Sequence, residues 1–267
     1  MEHRPRKRFG QNFLHDPNTI RRILSVVDPR PGERLVEIGP GRGAITTGLL
    51  RAAGRLDVVE LDRDLIEPLA RRCTGLGELT IHNADALAFD LCALYPHERP
   101  HERLRLVGNL PYNLSTPLLF RFLDQADGIR DMHFMLQREL VERIAAGPSS
   151  KVYGRLSVMI QVYCRAEPLF RVGPGAFAPV PKVDSACVRL TPHRPLPYPV
   201  RDPACLSRLV TQAFGQRRKT LRNSLRGLVD PQLLRAQGLH PGQRAEELSV
   251  EAFVRLANAA CKTQVPP

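Results

Sequence analysis

Short apolar runs alternate with amphipathic segments over the first half of the chain. Runs of four to six mostly apolar residues predict strands at 34–38, 56–61, 79–82, 104–107 and 132–136. Between them, apolar residues recur at helical spacing, as in 45–53 and 65–73. This alternation predicts an α/β fold, in which a parallel sheet carries helices on both faces. Such sheets bind ligands outside the carboxyl ends of their strands.

The pattern changes in the last third of the chain. Two further strands are predicted at 169–172 and 186–190, and five prolines then lie between Pro192 and Pro203. A proline-rich stretch is typical of a restrained, extended linker. Beyond it we find helix formers and no strand pattern, so we predict a first domain at 1–197 and a small all-α domain at 198–267.

The charge of the chain indicates its partner. The formal net charge is +12, and residues 201–267 carry 11 Lys/Arg against 5 Asp/Glu, a surplus of 6. A strongly basic protein favours a polyanion, and nucleic acid is favoured over a membrane because no apolar run reaches the ~18 residues of a span. The basic N-terminus lacks the apolar core of a secretion signal, so we expect a cytoplasmic protein.

The six cysteines are scattered without any Cys-x-x-Cys pair. This spacing favours reduced thiols, mostly buried, over disulfides or metal ligands. We therefore expect neither a disulfide nor a metal site.

Polar groups follow the predicted strands at their carboxyl ends. Gly39 and Gly41 follow the first strand, and Glu60 ends the second about 20 residues later, where an acid can bind a ribose diol. Asp85 follows the third strand, where it could accept a hydrogen bond from an adenine amine or cap a helix. Both a nicotinamide enzyme and an S-adenosylmethionine enzyme fit these residues.

The fourth strand ends in Asn109-Leu110-Pro111-Tyr112, which favours the methyltransferase. Pro111 pushes Leu110 into an extended conformation, so backbone carbonyls can project unpaired beside the Asn109 amide. Carbonyl oxygens that hold the hydrogens of an adenine amine stabilise the positive charge that develops as it attacks a methyl sulfonium. Tyr112 offers a ring on which an unstacked base can lie.

With these motifs the chain resembles the KsgA-type small-subunit ribosomal RNA adenine dimethyltransferases over nearly its whole length. The matching stretches are RFGQNFL (8–14), VEIGPGRGAIT (36–46), VVELDRDL (58–65), NADAL (83–87), NLPYNLSTPLLF (109–120), FAPVPKVDSA (177–186) and AFGQRRKTLRNSL (213–225). The resemblance implies a Rossmann-like methyltransferase sheet, mostly parallel with an antiparallel edge. It also implies S-adenosyl-L-methionine as cofactor, with S-adenosyl-L-homocysteine as product. The implied reaction is N6,N6-dimethylation of two adjacent adenosines in the 3′-terminal hairpin loop of 16S rRNA, within the assembling small subunit.

The resemblance also implies roles for individual residues. Those expected at the cofactor are Asn12, Leu14, Gly39, Gly41, Glu60, Asp85 and Asn109. Those expected at the target base are Asn109, Leu110, Pro111, Tyr112 and Phe177, with the two aromatic rings sandwiching the flipped adenine. We expect the protein to act as a monomer.

A basic segment in the predicted all-α domain favours contact with RNA phosphates. Arg218, Arg222 and Arg226 are spaced to share one face of a helix, and no acid lies between Asp202 and Asp230. With their neighbours they form the predicted RNA-binding set of Arg217, Arg218, Lys219, Arg222 and Arg226.

Three alternatives stay open. A macrolide-resistance type enzyme would methylate an adenine of large-subunit rRNA with the same fold and a similar Asn-x-Pro-Tyr motif. A non-enzymatic RNA-binding assembly factor could use the same scaffold, although its cofactor motifs should then have decayed. A nicotinamide oxidoreductase would leave residues 109–112 unexplained.

Overall fold

A computed structural model describes residues 11–95 and 102–262, and its core is a seven-stranded sheet with the order β4-β3-β2-β5-β6-β9-β7. The strands of this sheet are β2 (Leu35–Ile38), β3 (Arg55–Glu60), β4 (Glu78–Asn83), β5 (Leu104–Asn109), β6 (Ile129–Gln137), β7 (Cys164–Val172) and β9 (Ser185–Pro192). A separate two-stranded sheet pairs β1 (Phe13–Leu14) with β8 (Phe177–Ala178). All seven predicted strands are confirmed to within a few residues at their ends.

The sheet is parallel from β4 to β6, and β9 runs antiparallel to β6. The predicted α/β fold with an antiparallel edge is therefore confirmed. Because the parallel strands end at one edge, Ile38, Glu60, Asn83 and Asn109 finish side by side there. These ends form the floor of the site.

Ten helices accompany the strands in the described residues. They are α1 (Pro17–Val27), α2 (Thr46–Ala53), α3 (Ile66–Cys73), α4 (Ser115–Leu123), α5 (Arg138–Ile144), α6 (Arg155–Tyr163), α7 (Pro203–Phe214), α8 (Leu221–Ser224), α9 (Pro231–Ala236) and α10 (Val250–Lys262). Local signals set several ends: Asp16 accepts the Thr19 N–H and precedes a proline at the first turn of α1, and Asp202 caps α7 in the same way. No helix in the described parts of the chain is long and apolar enough to cross a bilayer.

The chain divides into two compact units. One comprises the described residues up to Val141 together with Glu167–Pro192, and the other comprises Glu142–Ala166 together with the described residues from His193 onward. The domain boundary predicted near residue 197 lies five residues beyond the observed boundary after Pro192. The prediction also placed residues 142–166 in the first domain, whereas they belong to the second unit. The proline-rich linker marks only the last crossing between units, since the earlier crossings lie inside α5 and β7 and leave no linker composition.

The single basic helix predicted from Arg218, Arg222 and Arg226 is wrong. Helix α7 ends at Phe214, residues 215–219 form turns, and α8 spans only four residues, 221–224. Two tertiary contacts hold this geometry: Thr220 bridges to Arg244, and the Leu221 N–H donates to the Gln243 carbonyl at 2.7 Å. The three arginines therefore do not share one helical face.

The expectation that all six cysteines are free thiols is also wrong. Cys205 and Cys261 form a disulfide between α7 and α10, with Cα atoms 6.6 Å apart. The 56 residues that separate them in the sequence hide this proximity, which arises only when the two helices pack together. The other four are free, and three of them (Cys73, Cys164 and Cys187) are buried as predicted. The Asp202 carboxylate lies beside the two sulfurs, with all three ligand atoms within 4.8 Å of one another.

Candidate active site

A cleft lies at the carboxyl ends of the parallel strands. Its walls come from the segments after β2, β3, β4 and β5, and from residues 11–14 at the start of the described chain. Its empty volume, open mouth included, is about 1040 Å³. The cleft is lined by all the residues predicted at the cofactor and at the target base except Phe177. They are Asn12, Leu14, Gly39, Gly41, Glu60, Asp85, Asn109, Leu110, Pro111 and Tyr112.

The turn after β2 needs glycine for two reasons. Gly39 and Gly41 have φ of +66° and +58°, in the left-handed region that side chains disfavour. A Cβ on Gly41 would also lie 3.0 Å from Cδ1 of Phe13, which lines the cleft. The turn therefore brings bare backbone to the cleft wall, where a ligand can approach it closely.

Glu60 links this turn to the end of β3. Its Oε2 accepts the Gly41 N–H at 3.1 Å, and its Oε1 accepts the Asp62 N–H at 2.8 Å. Burial raises the pKa of Glu60, and these backbone hydrogen bonds partly offset the effect. A carboxylate has about four lone-pair sites, so each oxygen can still accept a ligand hydroxyl.

Glu37 is a cleft residue that sequence reasoning did not single out. It lies within β2, is 2% exposed, and its Oε2 has no hydrogen-bond partner among the described residues. Burial raises the pKa of Glu37 to about 8, with a smaller contribution in the same direction from Glu60. A buried carboxyl oxygen that lacks a partner at a cleft wall is poised to receive a donor from a ligand. The sequence signal that could have identified Glu37 is an acid inside an otherwise apolar strand.

Asp85 lies at a turn, since no helix follows it directly, so it does not cap one. Its Oδ1 accepts the Leu87 N–H at 2.9 Å across that turn, and the exposed residue lines the cleft. This bond uses one oxygen of the carboxylate, which leaves acceptor capacity for a ligand.

The amide of Asn109 has a fixed orientation. Its Nδ2 donates to the backbone carbonyl of Asn12 at 2.9 Å, across 97 residues of sequence. Because the nitrogen is held by this bond, the side-chain oxygen is left as an acceptor, and no described residue donates to it. Asn12 therefore acts on Asn109 as well as lining the cleft.

Only one of the two neighbouring carbonyls is available. The Pro111 carbonyl accepts the Leu114 N–H at 3.0 Å and the Ser115 hydroxyl at 2.9 Å, which begin α4. The Leu110 carbonyl receives no hydrogen bond from any described residue. The expected pair of acceptors is therefore the Asn109 side chain and the Leu110 backbone, while Pro111 shapes the turn.

The structure does not bring Tyr112 and Phe177 together at the cleft. Tyr112 is half-buried and lines it, with its hydroxyl 2.6 Å from the Ser185 hydroxyl. Phe177 is fully buried in the apolar core, where β8 pairs it with Leu14. In this conformation the Phe177 ring has no face open to a base.

The predicted RNA-binding residues all lie in the second unit, where one is paired with an acid, two are exposed on turns and two line a groove. Arg217 donates to the Lys151 carbonyl at 2.7 Å and pairs with Glu246 at 3.3 Å. Arg218 and Lys219 are exposed on the turns after α7.

The remaining two line a basic groove, which we define by its side chains Arg222, Arg226, Arg235 and His240. In the described chain the three guanidinium groups have no ion pair, and the nearest acid in the groove is Asp230. Arg235 and His240 escaped sequence reasoning because they follow the acid-free span.

Comparison with known proteins decides the family. A family model described as ribosomal RNA adenine dimethylase matches residues 2–262. The chain belongs to this family. A ribosomal RNA small subunit methyltransferase A of Pseudomonas aeruginosa is 57% identical over 258 residues, covering 96% of this chain and 95% of the relative. One of Marinomonas sp. is 54% identical, covering 98% and 97%.

Solved structures show the same fold. A dimethyladenosine transferase from Plasmodium falciparum superposes on this adenine dimethylase with a TM-score of 0.79 at 23% identity, covering 91% of this chain and 95% of the other. The 23S rRNA methyltransferase ErmE gives a TM-score of 0.69 at 27% identity, covering 94% and 100%. The Rossmann-like methyltransferase fold is thus confirmed for the dimethylase.

The dimethylase is an S-adenosylmethionine-dependent rRNA methyltransferase, and its cleft fits that cofactor. The bare backbone at Gly41 gives room for close approach, and Glu60 keeps lone pairs for ribose hydroxyls. The partnerless Glu37 oxygen can take part in a hydrogen bond with a polar group of a ligand. A cofactor that carries hydroxyls and other polar groups could satisfy the Glu60 and Glu37 oxygens.

Proposed function

We propose that this dimethylase transfers two methyl groups to the N6 amine of each of two adjacent adenosines in the 3′-terminal hairpin loop of 16S rRNA. It would do so in the cytoplasm, as a monomer acting on the assembling small subunit. The observation that carries the proposal is the pair of carbonyl acceptors, Asn109 Oδ1 and Leu110 O, at the end of β5. Both acceptors come from the same strand end, where they can hold the hydrogens of one exocyclic amine.

The chemistry asked of the protein is positioning and charge stabilisation. When bound, S-adenosylmethionine supplies a methyl group on a sulfonium. The Asn109 and Leu110 oxygens hold the amine hydrogens and stabilise the positive charge that develops on nitrogen. The contact from Asn12 keeps the Asn109 oxygen in place before RNA arrives, which avoids reorganisation during the reaction. As the N–C bond forms, the S–C bond of the sulfonium would break, and the methylated nitrogen would then lose one proton to water. No acid or base is therefore needed among the residues that touch the amine.

The cofactor roles follow the cleft. We propose that Glu60 takes the ribose hydroxyls, Asp85 the adenine amine, and residues 12–14 the methionine end. Gly39 and Gly41 leave room along this path.

For the target base, Tyr112 provides one stacking face. The second face assigned to Phe177 requires that ring to leave the core when RNA binds, since it is fully buried here.

The second unit would hold rRNA by its phosphates. We assign this contact to the basic groove and to Arg218 and Lys219, because cations without internal partners are the ones free to pair with an external polyanion. Arg217 is already paired with Glu246, so we expect it to contribute less.

One specific observation supports a second candidate. The likeness to ErmE, at 27% identity over 94% of this chain, keeps an adenine of large-subunit rRNA as an alternative substrate. The test is incubation of the protein with methyl-labelled S-adenosylmethionine and with unmethylated small or large subunits, followed by nucleoside analysis. We expect labelled N6,N6-dimethyladenosine from the small subunit alone. Label in the large subunit would contradict the 16S proposal, and label in neither would contradict both.

A further inference from the structure

A fully buried serine holds the hydroxyl of Tyr112. The Tyr112 Oη lies 2.6 Å from the Oγ of Ser185, which is the first residue of β9. We propose that Ser185 is a positioning residue for methyl transfer, fixing the plane of the Tyr112 ring on which the target adenine stacks. This inference rests on the proposed stacking role of Tyr112, and it assigns to that ring a partner outside the cleft.

The sheet fixes the position of Ser185. In the antiparallel pairing of β9 with β6, Ser185 lies opposite Gln137. The next residue of the chain after Gln137, Arg138, donates its N–H to the Asp184 carbonyl at 2.9 Å. Ser185 is 0% exposed. The main chain that carries this hydroxyl is therefore held by the sheet, and a buried hydroxyl on a fixed main chain gives the tyrosine a defined partner.

Tyr112 needs such an anchor. It lies between the end of β5 and the start of α4, in a turn, and its ring is half-buried with one part in the cleft. A ring that is only partly buried has room to move, and the hydroxyl bond restricts that movement at the far end of the side chain. Burial raises the pKa of the Tyr112 hydroxyl, so the group stays protonated near neutral pH and keeps both donor and acceptor capacity.

Ser185 can act only through Tyr112. It does not line the cleft, and its hydroxyl has the Tyr112 hydroxyl as its partner among the described residues. A fixed ring plane matters because the target amine must meet the Asn109 and Leu110 carbonyls while the base stays stacked. A misplacement of about 1 Å can cost ~10²-fold in rate. The tyrosine hydroxyl is thus required for orientation, although stacking itself uses only the ring.

The test is a double-mutant cycle with Ser185→Ala, Tyr112→Phe and the combined variant. Single-turnover methylation of unmethylated small subunits is measured at saturating cofactor, with calorimetry for cofactor binding. We expect each single variant to slow methyl transfer by about 10-fold and the combined variant to be no slower than either. Cofactor affinity and the subunit concentration for half-maximal rate should stay at wild-type values, because we assign neither hydroxyl a contact with the cofactor or the RNA.

A matched control separates orientation from stability. Tyr153→Phe removes another buried tyrosine hydroxyl, which donates to the Leu248 carbonyl at 2.9 Å in the second unit. It should lower the melting temperature without slowing methyl transfer. A rate within twofold of wild type for Ser185→Ala, or rate losses that multiply in the combined variant, would overturn the positioning role.

Tyr112→Ala distinguishes this inference from the proposed function. A near-normal rate in Tyr112→Ala would contradict the stacking role itself. A large loss there, with no loss in Ser185→Ala, would contradict the positioning role alone.

Discussion

The cleft of the first unit and the basic groove of the second both gather polar side chains, but under opposite physical conditions. In the cleft, Glu37 and Glu60 are 2% and 6% exposed, and Glu60 and Asn109 are held by hydrogen bonds from or to the backbone. In the groove, Arg222 and its neighbours are exposed, without ion pairs in the described chain. The cleft is preorganised for one ligand geometry, whereas the groove presents exposed charge that could meet a phosphate backbone of any sequence.

This contrast predicts how each region responds to substitution. A change in the cleft should alter rate or cofactor affinity steeply, because the remaining partners stay buried and unsatisfied. A change in the groove should alter RNA affinity gradually and in a salt-dependent manner.

The largest effect is expected at Asn109. Asn109→Ala removes the acceptor that faces the developing charge, and loss of one such preorganised contact costs ~10²–10³-fold in rate. We expect that loss in single-turnover methylation, with RNA affinity nearly unchanged. Asn109→Asp is the companion variant, since it keeps an acceptor but cannot donate to the Asn12 carbonyl. A near-normal rate in Asn109→Ala would reject the mechanism.

The next effect concerns Glu60. Glu60→Ala should weaken S-adenosylmethionine binding by ~10–100-fold, as expected for the loss of hydrogen bonds to a charged group. It should also lower the melting temperature of the ligand-free protein, because the Gly41 and Asp62 N–H groups lose their acceptor. Glu78→Ala, an exposed acid at the start of β4, is the control and should leave both quantities unchanged. Unaltered cofactor affinity in calorimetry would remove Glu60 from the site.

The buried acid of the cleft should make stability depend on pH. Burial raises the pKa of Glu37 from 4.5 to about 8, so between these values the folded protein binds more protons than the unfolded chain. The free energy of unfolding should therefore fall as pH rises through this window, by up to ~1.4 kcal/mol per pH unit. Glu37→Gln should flatten the profile. Identical pH profiles of thermal unfolding in the two proteins would show that Glu37 is not the cause.

The smallest and most graded effect is expected in the groove. The double variant Arg222→Gln/Arg226→Gln should weaken RNA binding roughly equally across sequences. Each lost phosphate contact should reduce the log–log salt slope by about 0.7–0.9. Arg244→Gln/Arg255→Gln, which removes two exposed arginines outside the groove, is the matched control for net charge. If both proteins show the same slope, the groove does not contact phosphates.

Much of the first unit could be predicted from the sequence because its signals are local. Apolar runs gave the seven strands, and the residues just past β2, β3, β4 and β5 line the cleft together. Parallel strands bring their carboxyl ends to one edge by geometry alone, so consecutive motifs meet without further information.

Other features depended on contacts between distant parts of the chain. The bond from Asn109 to Asn12 and the bond from Tyr112 to Ser185 span 97 and 73 residues. Neither has a local signature. The same holds for the Cys205–Cys261 disulfide and for the turns that replace the predicted basic helix.

By itself the sequence determined the strands, the order of motifs along the sheet edge and the chemical types of the site residues, because periodicity and turn chemistry act over a few residues. Tertiary structure alone decided which carbonyls stay unpaired, which arginines lack partners and how the Tyr112 ring is held. Whether a polar group is satisfied depends on every atom that packs around it, and those atoms come from segments that only folding brings together.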